Sequence, residues 1–407
     1  MAERNERIAR VVHDLVADNL DAIVCAIPAN VLMLSGYWPV VGTAVAIVTR
    51  DGVCVALAPE DERELAARGW AEVRTYQPGS LGQLINVTTA ITDPLKRLGD
   101  ELGLARARIG FEAGPFYEPS SYAAMHFFGG GMLPLLAHAL PEAVKVPADE
   151  LLSRLKAVKT PLEIGRIRTA CRIAADAYQT GAGRLVPAMA ETEAAASFQA
   201  PLSIVGTGFD GAARAGGFVS CMSGANSAQA FGAFARSRGT AITTNEPILV
   251  HCNSYADGYW TDITRTFCLG EIPPDLRLVY DAVLAARQAA LLAVGDGARA
   301  ATVDKAARDV LAQSGYGADF KHGTGHGVGF AAINHLALPR IHPASEDVLE
   351  TGNVFNIEPA VYIEGKGGVR HCDVVAITEQ GVEVLTPFQS EIGQLLLGGV
   401  SNVMPPG

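Results

Sequence analysis

The chain has 407 residues, of which 49% are hydrophobic, and a mean hydropathy of +0.20. This length favours two domains, because single domains usually comprise about 100–200 residues. The net charge of −11 makes nucleic acids and anionic membranes poor candidate partners. No signal peptide or membrane-length apolar stretch is apparent, and seven scattered cysteines fit reduced thiols, so the sequence predicts a cytoplasmic protein.

The N-terminal part alternates helical and strand patterns. Residues 5–20 show the apolar spacing of a helix, and residues 43–57 form a predicted hairpin around an Asp-Gly turn. We predict a smaller α/β domain over residues 1–145, with a linker at residues 140–149 because two prolines fall there. Further helices are predicted at 60–68, 79–103 and 116–127, and further strands at 21–27, 72–75 and 107–111.

The remaining residues, 150–407, are predicted to form an α+β domain. Pro161 stands at the first position of a long helix, where its fixed φ angle suits the helix start. Six of the nine histidines lie from residue 251 onward, so polar chemistry is concentrated here. Helices are predicted at 150–159, 161–177, 190–199, 274–294 and 303–311, and strands at 217–222, 246–252, 259–269, 353–363 and 371–377.

One acidic residue, Asp262, lies inside a predicted strand that returns from an Asp-Gly hairpin turn. A carboxylate there is costly unless another group pairs with it. Three later segments carry side chains that suit this role, namely His322–His326, Asn356–Pro359 and Arg370–Asp373.

Four motifs follow one another in this half of the chain: Tyr259–Thr266, Gly325–Gly329, Phe355–Pro359 and Gly368–Asp373. In this order they resemble the pita-bread family M24, which includes methionine aminopeptidase, aminopeptidase P, prolidase and creatinase. Asn30–Gly36 resembles the start of the N-terminal domain found in the creatinase, prolidase and aminopeptidase P branch. The resemblance implies a pita-bread C-terminal domain with its site on the concave face of a curved antiparallel sheet, and a homodimer.

The resemblance also implies a metal centre, since two Asp, one His and two Glu hold two divalent ions in the family. Asp262, His326 and Glu358 match three of these positions, whereas His251 and Cys372 occupy the other two. Two of five ligand positions are therefore altered. Two carboxylates and at most one thiolate offset less charge than two divalent ions carry, so we expect one ion (Mn, Fe, Co or Zn) or none.

Other family positions point to substrate contacts and proton transfer. The family's substrate-side histidine falls on Phe231, and a downstream histidine corresponds loosely to His335. Imidazole exchanges protons near neutral pH. The predicted catalytic residues are His322, His326, His335 and Glu358; the predicted substrate-binding residues are Phe231, Tyr259 and Arg370; the predicted metal ligands are His251, Asp262, His326, Glu358 and Cys372.

The predicted function is hydrolysis of a C–N bond in a small, amino-acid-like molecule or dipeptide-like substrate. One alternative is an Xaa-Pro dipeptidase with an atypical metal site. The others are a non-catalytic pita-bread binding module and a lyase that uses the same site. Retention of Asp262, His326 and Glu358 argues against the binding module, whereas the residues at positions 251, 372 and 231 argue for it.

Overall fold

A computed structural model describes residues 2–39, 43–79, 81–114, 131–232, 236–332, 334, 337–386 and 388–397. The chain divides into two compact units, Met1–Lys156 and Ala157–Gly407. Among the described helices, none is both long and apolar enough to cross a membrane.

The first unit is an α/β domain, as predicted. Its sheet has the strand order β4-β3-β2-β1-β5-β6, in which β2 is antiparallel to β1 and β3 while the other pairs are parallel. The helices are α1 (Ala2–Ala17), α2 (Pro28–Ser35), α3 (Arg63–Ala66), α4 (Val87–Glu101), α5 (Met132–Ala139) and α6 (Asp149–Ala157). The strands are β1 (Ala22–Cys25), β2 (Val45–Thr49), β3 (Cys54–Pro59), β4 (Glu72–Tyr76), β5 (Arg108–Phe111) and β6 (Val144–Pro147).

The domain boundary differs from the prediction. Residues 140–149 are not a linker, because β6 pairs with β5 along its whole length and α6 follows at once. Pro147 is compatible with β6 since that strand lies at the sheet edge, where proline is tolerated. The first unit therefore extends to residue 156 rather than 145. The helix predicted at 116–127 lies outside the described residues.

The second unit begins with a helix whose start was predicted correctly. Thr160 Oγ1 accepts a hydrogen bond from the Glu163 backbone N–H (3.3 Å), and the Glu163 carboxylate accepts one from the Thr160 N–H (2.8 Å). Pro161 follows at the first helical position. The helices of this unit are α7 (Pro161–Ala182), α8 (Glu191–Ile204), α9 (Gly224–Ser227), α10 (Pro274–Ala293), α11 (Ala300–Gln313) and α12 (Ile392–Leu395).

Among the described residues of the second unit, the strands form three sheets. They have the orders β16-β10-β8-β7 (with β9 on β8), β11-β14-β15 and β12-β13, and every pair except β10–β16 is antiparallel. The strands are β7 (Ala215–Ser223), β8 (Pro247–Ala256), β9 (Tyr259–Trp260), β10 (Ile263–Leu269), β11 (Val354–Ile357), β12 (Ala360–Ile363), β13 (Gly367–Arg370), β14 (Asp373–Thr378), β15 (Gly381–Val384) and β16 (Leu396–Leu397). This matches the expected α+β class, although the strand predicted at 353–363 is split at Glu358-Pro359.

The register of β8 decides which side chains share a face. Asp257 and Gly258 both have positive φ (48° and 88°), as a tight hairpin turn requires, so the predicted turn is confirmed. The pairing of β8 with β9 and with β10 has one common register, which places His251 opposite Thr264 and Asn253 opposite Asp262. Cross-strand partners project from the same face of a sheet.

Candidate functional site

Three buried side chains from separate segments converge in the second unit. Asp262 directly precedes β10, Glu358 directly follows β11, and Cys372 directly precedes β14. One ligand atom from each of the three lies within 4.8 Å of the others, as donor atoms around a metal ion would. A backbone bridge between Thr264 of β10 and Cys372, directly before β14, joins the sheets to which these two strands belong.

His326 approaches the same group. Its Nε2 lies 3.5 Å from Asp262 Oδ2 and 3.9 Å from Glu358 Oε1, and its Nδ1 lies 3.0 Å from the Gly327 carbonyl oxygen. Because a carbonyl oxygen can only accept, Nδ1 carries the proton. When the ring is neutral, the lone pair on Nε2 is therefore directed toward the carboxylates, which suits a metal ligand.

The glycine-rich loop that carries His326 is locked onto β11. The His326 N–H donates to Asn356 Oδ1 (2.7 Å), and the Asn356 N–H donates to the His326 carbonyl oxygen (3.0 Å). A Cβ on Gly325 would come within 1.8 Å of the Asn356 carbonyl oxygen, and one on Gly327 within 2.1 Å of the Leu338 carbonyl oxygen. The glycines therefore permit a backbone approach that fixes His326, and are more than a source of flexibility.

The two carboxylates differ in their electrostatic environment. Burial, together with the negative charge of Asp262, raises the pKa of Glu358 to about 7. Burial also opposes ionisation of Asp262, yet the neighbouring His251, His326 and Arg370 hold its pKa well below the usual range. Burial lowers the pKa of His251 to about 4, so this imidazole is neutral near pH 7 and the guanidinium of Arg370 remains as a permanent positive charge beside Asp262.

Cys372 is a neutral thiol in this arrangement. Its Sγ lies 3.1 Å from the Asp262 carbonyl oxygen and donates a hydrogen bond to it. Burial and the charges of Glu358 and Asp262 raise the pKa of the Cys372 thiol well above its usual value. Only a cation placed among these groups would favour the thiolate.

His251 is held by other protein groups. Thr264 Oγ1 lies 3.0 Å from His251 Nδ1 and also accepts a hydrogen bond from Arg370 Nε (3.0 Å). His251 lies near Asp262, with Nδ1 3.6 Å from Oδ1, but does not belong to the close group of Asp262, Glu358 and Cys372. His251 therefore borders the group, and its role as a metal ligand stays a prediction.

Arg370 is also connected to His322 by hydrogen bonds through Tyr362. Its Nη1 donates to the Tyr362 hydroxyl (3.3 Å), which lies 2.9 Å from His322 Nε2. His322 Nδ1 lies 2.8 Å from the Gly323 carbonyl oxygen and therefore carries the proton, so Nε2 accepts from the Tyr362 hydroxyl. Arg370 Nε is 3.9 Å from Glu358 Oε2. The predicted His322 is thus connected to the acidic group through Tyr362 and Arg370.

The remaining predicted residues have different surroundings. Phe231 is 42% exposed, and its ring centroid lies 5.6 Å from that of Tyr362, so it borders the site. Tyr259 is only 4% exposed and packs on Phe330, which fits a core position better than the predicted substrate contact. His371 Nε2 faces Asp373 Oδ2 at 3.6 Å. The predicted His335 lies outside the described residues.

Sequence reasoning missed the residues that support the site. Thr264, Tyr362 and Asn356 hold Arg370, His322 and His326, respectively. For Thr264 and Asn356 a signal was present, because each lies two residues from an acidic site residue and alternation in a strand places such residues on one face. No comparable pattern identifies Tyr362.

Two family models match this chain. The model of metallopeptidase family M24 matches residues 165–379, and that of the creatinase/prolidase N-terminal domain matches residues 7–125. The first match covers the complete group of Asp262, His326, Glu358 and Cys372.

Known relatives agree with these matches. An Xaa-Pro dipeptidase of Pyrococcus furiosus is 33% identical over 244 residues, which are 60% of this chain and 67% of the relative. The crystal structure of a prolidase from Pyrococcus horikoshii OT3 has a TM-score of 0.74 and 26% identity, covering 95% of this chain and 100% of that chain. The N-terminal domain of FACT complex subunit SPT16 from chickpea has a TM-score of 0.70 at 15% identity, with 97% and 99% covered, which shows similarity of fold alone.

Proposed function

As a member of metallopeptidase family M24, in its creatinase and prolidase branch, this chain is a hydrolase of C–N bonds, and we propose that it cleaves a dipeptide-sized substrate at a single metal ion. Asp262, His326, Glu358 and Cys372 would hold the ion. The observation that carries the proposal is the convergence of these four side chains, from segments that lie far apart in the chain, in one buried group.

The charges of the group suit one divalent cation. Two carboxylates and a thiolate supply three negative charges, and a divalent ion together with the buried guanidinium of Arg370 supplies three positive ones. Arg370 Nε lies 3.9 Å from Glu358 Oε2, close enough to take part in this balance. A second divalent ion would leave an excess of positive charge in a site where burial makes uncompensated charge costly.

The types of donor atom favour zinc among the metals predicted. A thiolate and an imidazole are ligands that zinc prefers, whereas manganese prefers oxygen ligands. Two positions differ from the ligand set of the family. At one of them, Cys372 supplies the soft donor atom. At the other, His251 is held beside the metal group by its hydrogen bond with Thr264. A divalent ion held by these residues would supply a Lewis acid for the carbonyl group of the substrate.

The chain's own residues would orient the substrate. Arg370, fixed by Thr264 and Tyr362, holds Glu358 in place and presents a positive charge at the edge of the group. Phe231 forms an apolar wall over Tyr362. We retain His322 and His335 as predicted proton-transfer residues, and a homodimer and a cytoplasmic location as predictions.

The other functions considered above have less support. A metal-free reaction driven by several histidines is disfavoured, because His371 faces Asp373 and the half-buried His251 is neutral near pH 7. A pure binding module would have no use for buried Asp262, His326 and Glu358 beside one another. Xaa-Pro dipeptides form the second candidate substrate class, since relatives with a similar sequence and fold are named Xaa-Pro dipeptidase or prolidase.

We expect the purified protein to retain one zinc ion per chain, and Cys372→Ser to weaken zinc binding while leaving manganese binding nearly unchanged, because the change removes the soft donor. Elemental analysis measures the metal content of each protein, and competition with a chelator measures its affinity for zinc and for manganese. Cys54→Ser is the matched control, since Cys54 is also a buried cysteine but lies in the first unit. Two ions per chain at full occupancy, or unchanged zinc affinity in Cys372→Ser, would contradict the proposed site.

Activity tests the reaction itself. A panel would contain Xaa-Pro dipeptides, other dipeptides and creatine-like compounds, each with untreated enzyme, with chelator-treated enzyme, and after addition of one equivalent of zinc. We expect turnover of at least one dipeptide class, its loss after chelation and its recovery with zinc. Full activity without metal, or turnover of creatine-like compounds alone, would refute the proposal.

A further inference from the structure

An aromatic surface lies beside Asp262 on the same face of the sheet. The register places Phe218 of β7 opposite Asn253 of β8, and Asn253 opposite Asp262. The same register places Tyr255 opposite Trp260. Because cross-strand partners and residues two apart in a strand share a face, the three aromatic side chains project from the face that carries Asp262.

The three rings pack into one platform, defined here as Phe218, Tyr255 and Trp260. The Phe218 and Trp260 rings are nearly parallel (5°) with centroids 5.9 Å apart, and the Tyr255 and Trp260 centroids are 4.8 Å apart. A Cβ on Gly216 would lie 2.8 Å from Tyr255 Oη, so this glycine provides the space that Tyr255 occupies. The platform is thus an ordered arrangement rather than a set of scattered side chains.

The platform remains accessible. Phe218 is 46% exposed, and Tyr255 and Trp260 are half-buried. Phe218 stands on β7, at the edge of its sheet. The Phe218 ring lies parallel to and displaced from the Trp260 ring, and its exposed surface is available to a further ring.

We propose that the platform is a substrate subsite that binds an aromatic side chain next to the scissile C–N bond. This inference rests on the proposed function and adds the side-chain class of the substrate. Trp260 is two residues from Asp262, about 7 Å along the strand, and Phe218 is two strands away, about 10 Å. A substrate whose carbonyl group lies at Asp262 can therefore reach the platform with the side chain of an adjacent residue. None of the three platform residues carries a charge, which suits an apolar side chain. Aromatic pairs prefer offset or tilted geometry, and the platform rings are already arranged in this way.

The test compares the cleavage of phenylalanyl-proline and alanyl-proline by the zinc-loaded enzyme. We expect the phenylalanyl substrate to be preferred in kcat/KM, and Phe218→Ala to reduce this preference by about fivefold to tenfold, mainly through KM. Phe218→Tyr should retain the preference because it keeps the ring. Leu278→Ala is the control, since Leu278 is 62% exposed on α10. An unchanged preference in Phe218→Ala, or an equal loss in Leu278→Ala, would overturn the subsite.

A binding measurement separates this inference from the proposed function. Phenylalaninamide and alaninamide are titrated into the wild-type protein and Phe218→Ala, and binding is followed by chemical-shift changes. If no dipeptide of the activity panel is cleaved but phenylalaninamide binds more tightly only when Phe218 is present, the proposed function fails and the subsite stands. If the dipeptides are cleaved but both proteins bind the two amides alike, the subsite fails and the proposed function stands.

Discussion

Replacement of Asp262 by alanine is expected to reduce kcat/KM by about 10²-fold or more while the protein stays folded. Asp262 is the carboxylate with the lowered pKa, so it supplies a full negative charge throughout the neutral range. Its loss removes a ligand and also the group that faces His326 Nε2 at 3.5 Å. His326→Ala and Glu358→Ala should have effects of similar size, since each removes one member of the same group.

Steady-state kinetics, circular dichroism and urea unfolding measure these effects together. Asp281→Ala is the matched control, because its carboxylate pairs with Arg277 on an exposed face of α10 and should leave kcat/KM unchanged. Wild-type turnover in any of the three site variants would remove that residue from the catalytic group. Loss of folding in all three would instead mean that the group is a stabilising core feature.

The second large effect is expected for Asp373→Ala, which should lower the free energy of unfolding by about 3–5 kcal/mol. Asp373 and Arg265 are fully buried, with Arg265 Nη2 2.5 Å from Asp373 Oδ1. Arg287 Nε binds the other carboxylate oxygen, and the Thr386 hydroxyl donates to Oδ1 (2.8 Å). Removal of the acid leaves two guanidinium groups with an uncompensated charge in the interior, which is more costly than loss of the attraction alone.

The same cluster supports the metal group. Arg265 Nη1 donates to the carbonyl oxygens of Thr264 (2.8 Å) and Cys372 (2.7 Å), so it holds together the two strands that carry site residues. Asp373→Ala should therefore also weaken zinc retention, although Asp373 itself faces Arg265 and Arg287.

Urea denaturation compares Asp373→Ala with Glu383→Ala, whose partner Arg168 makes a half-exposed ion pair. The control should cost about 1 kcal/mol or less, because water screens such pairs. Asp373→Asn, which keeps the shape of the side chain, provides a second variant if the alanine variant does not fold. An equal loss of unfolding free energy in Asp373→Ala and in Glu383→Ala would contradict the expected contribution of the buried cluster to stability.

Several features followed from the sequence because they depend on neighbouring residues. The start of α7 depends on Thr160, Pro161 and Glu163, and the hairpin after β8 depends on Asp257 and Gly258. The ordered motifs around Asp262 were sufficient to predict the family and its fold, which the matched family models and the prolidase structure confirm. Local patterns did not give the domain boundary, because an edge strand that contains a proline cannot be distinguished from a proline-containing linker by sequence.

The partners of the site residues were decided only by the tertiary structure. His322 and His371 both lie in or next to family motifs, yet one binds Tyr362 and the other faces Asp373. The direction of each side chain depends on strand register and on contacts with segments distant in sequence, which no local pattern encodes. The sequence thus determined the fold, the family and the residues at each motif position. Tertiary packing determined that Cys372 joins Asp262 and Glu358, that Thr264 holds His251, and that aromatic rings border the site, since these relations exist only once separate strands share a register and a face.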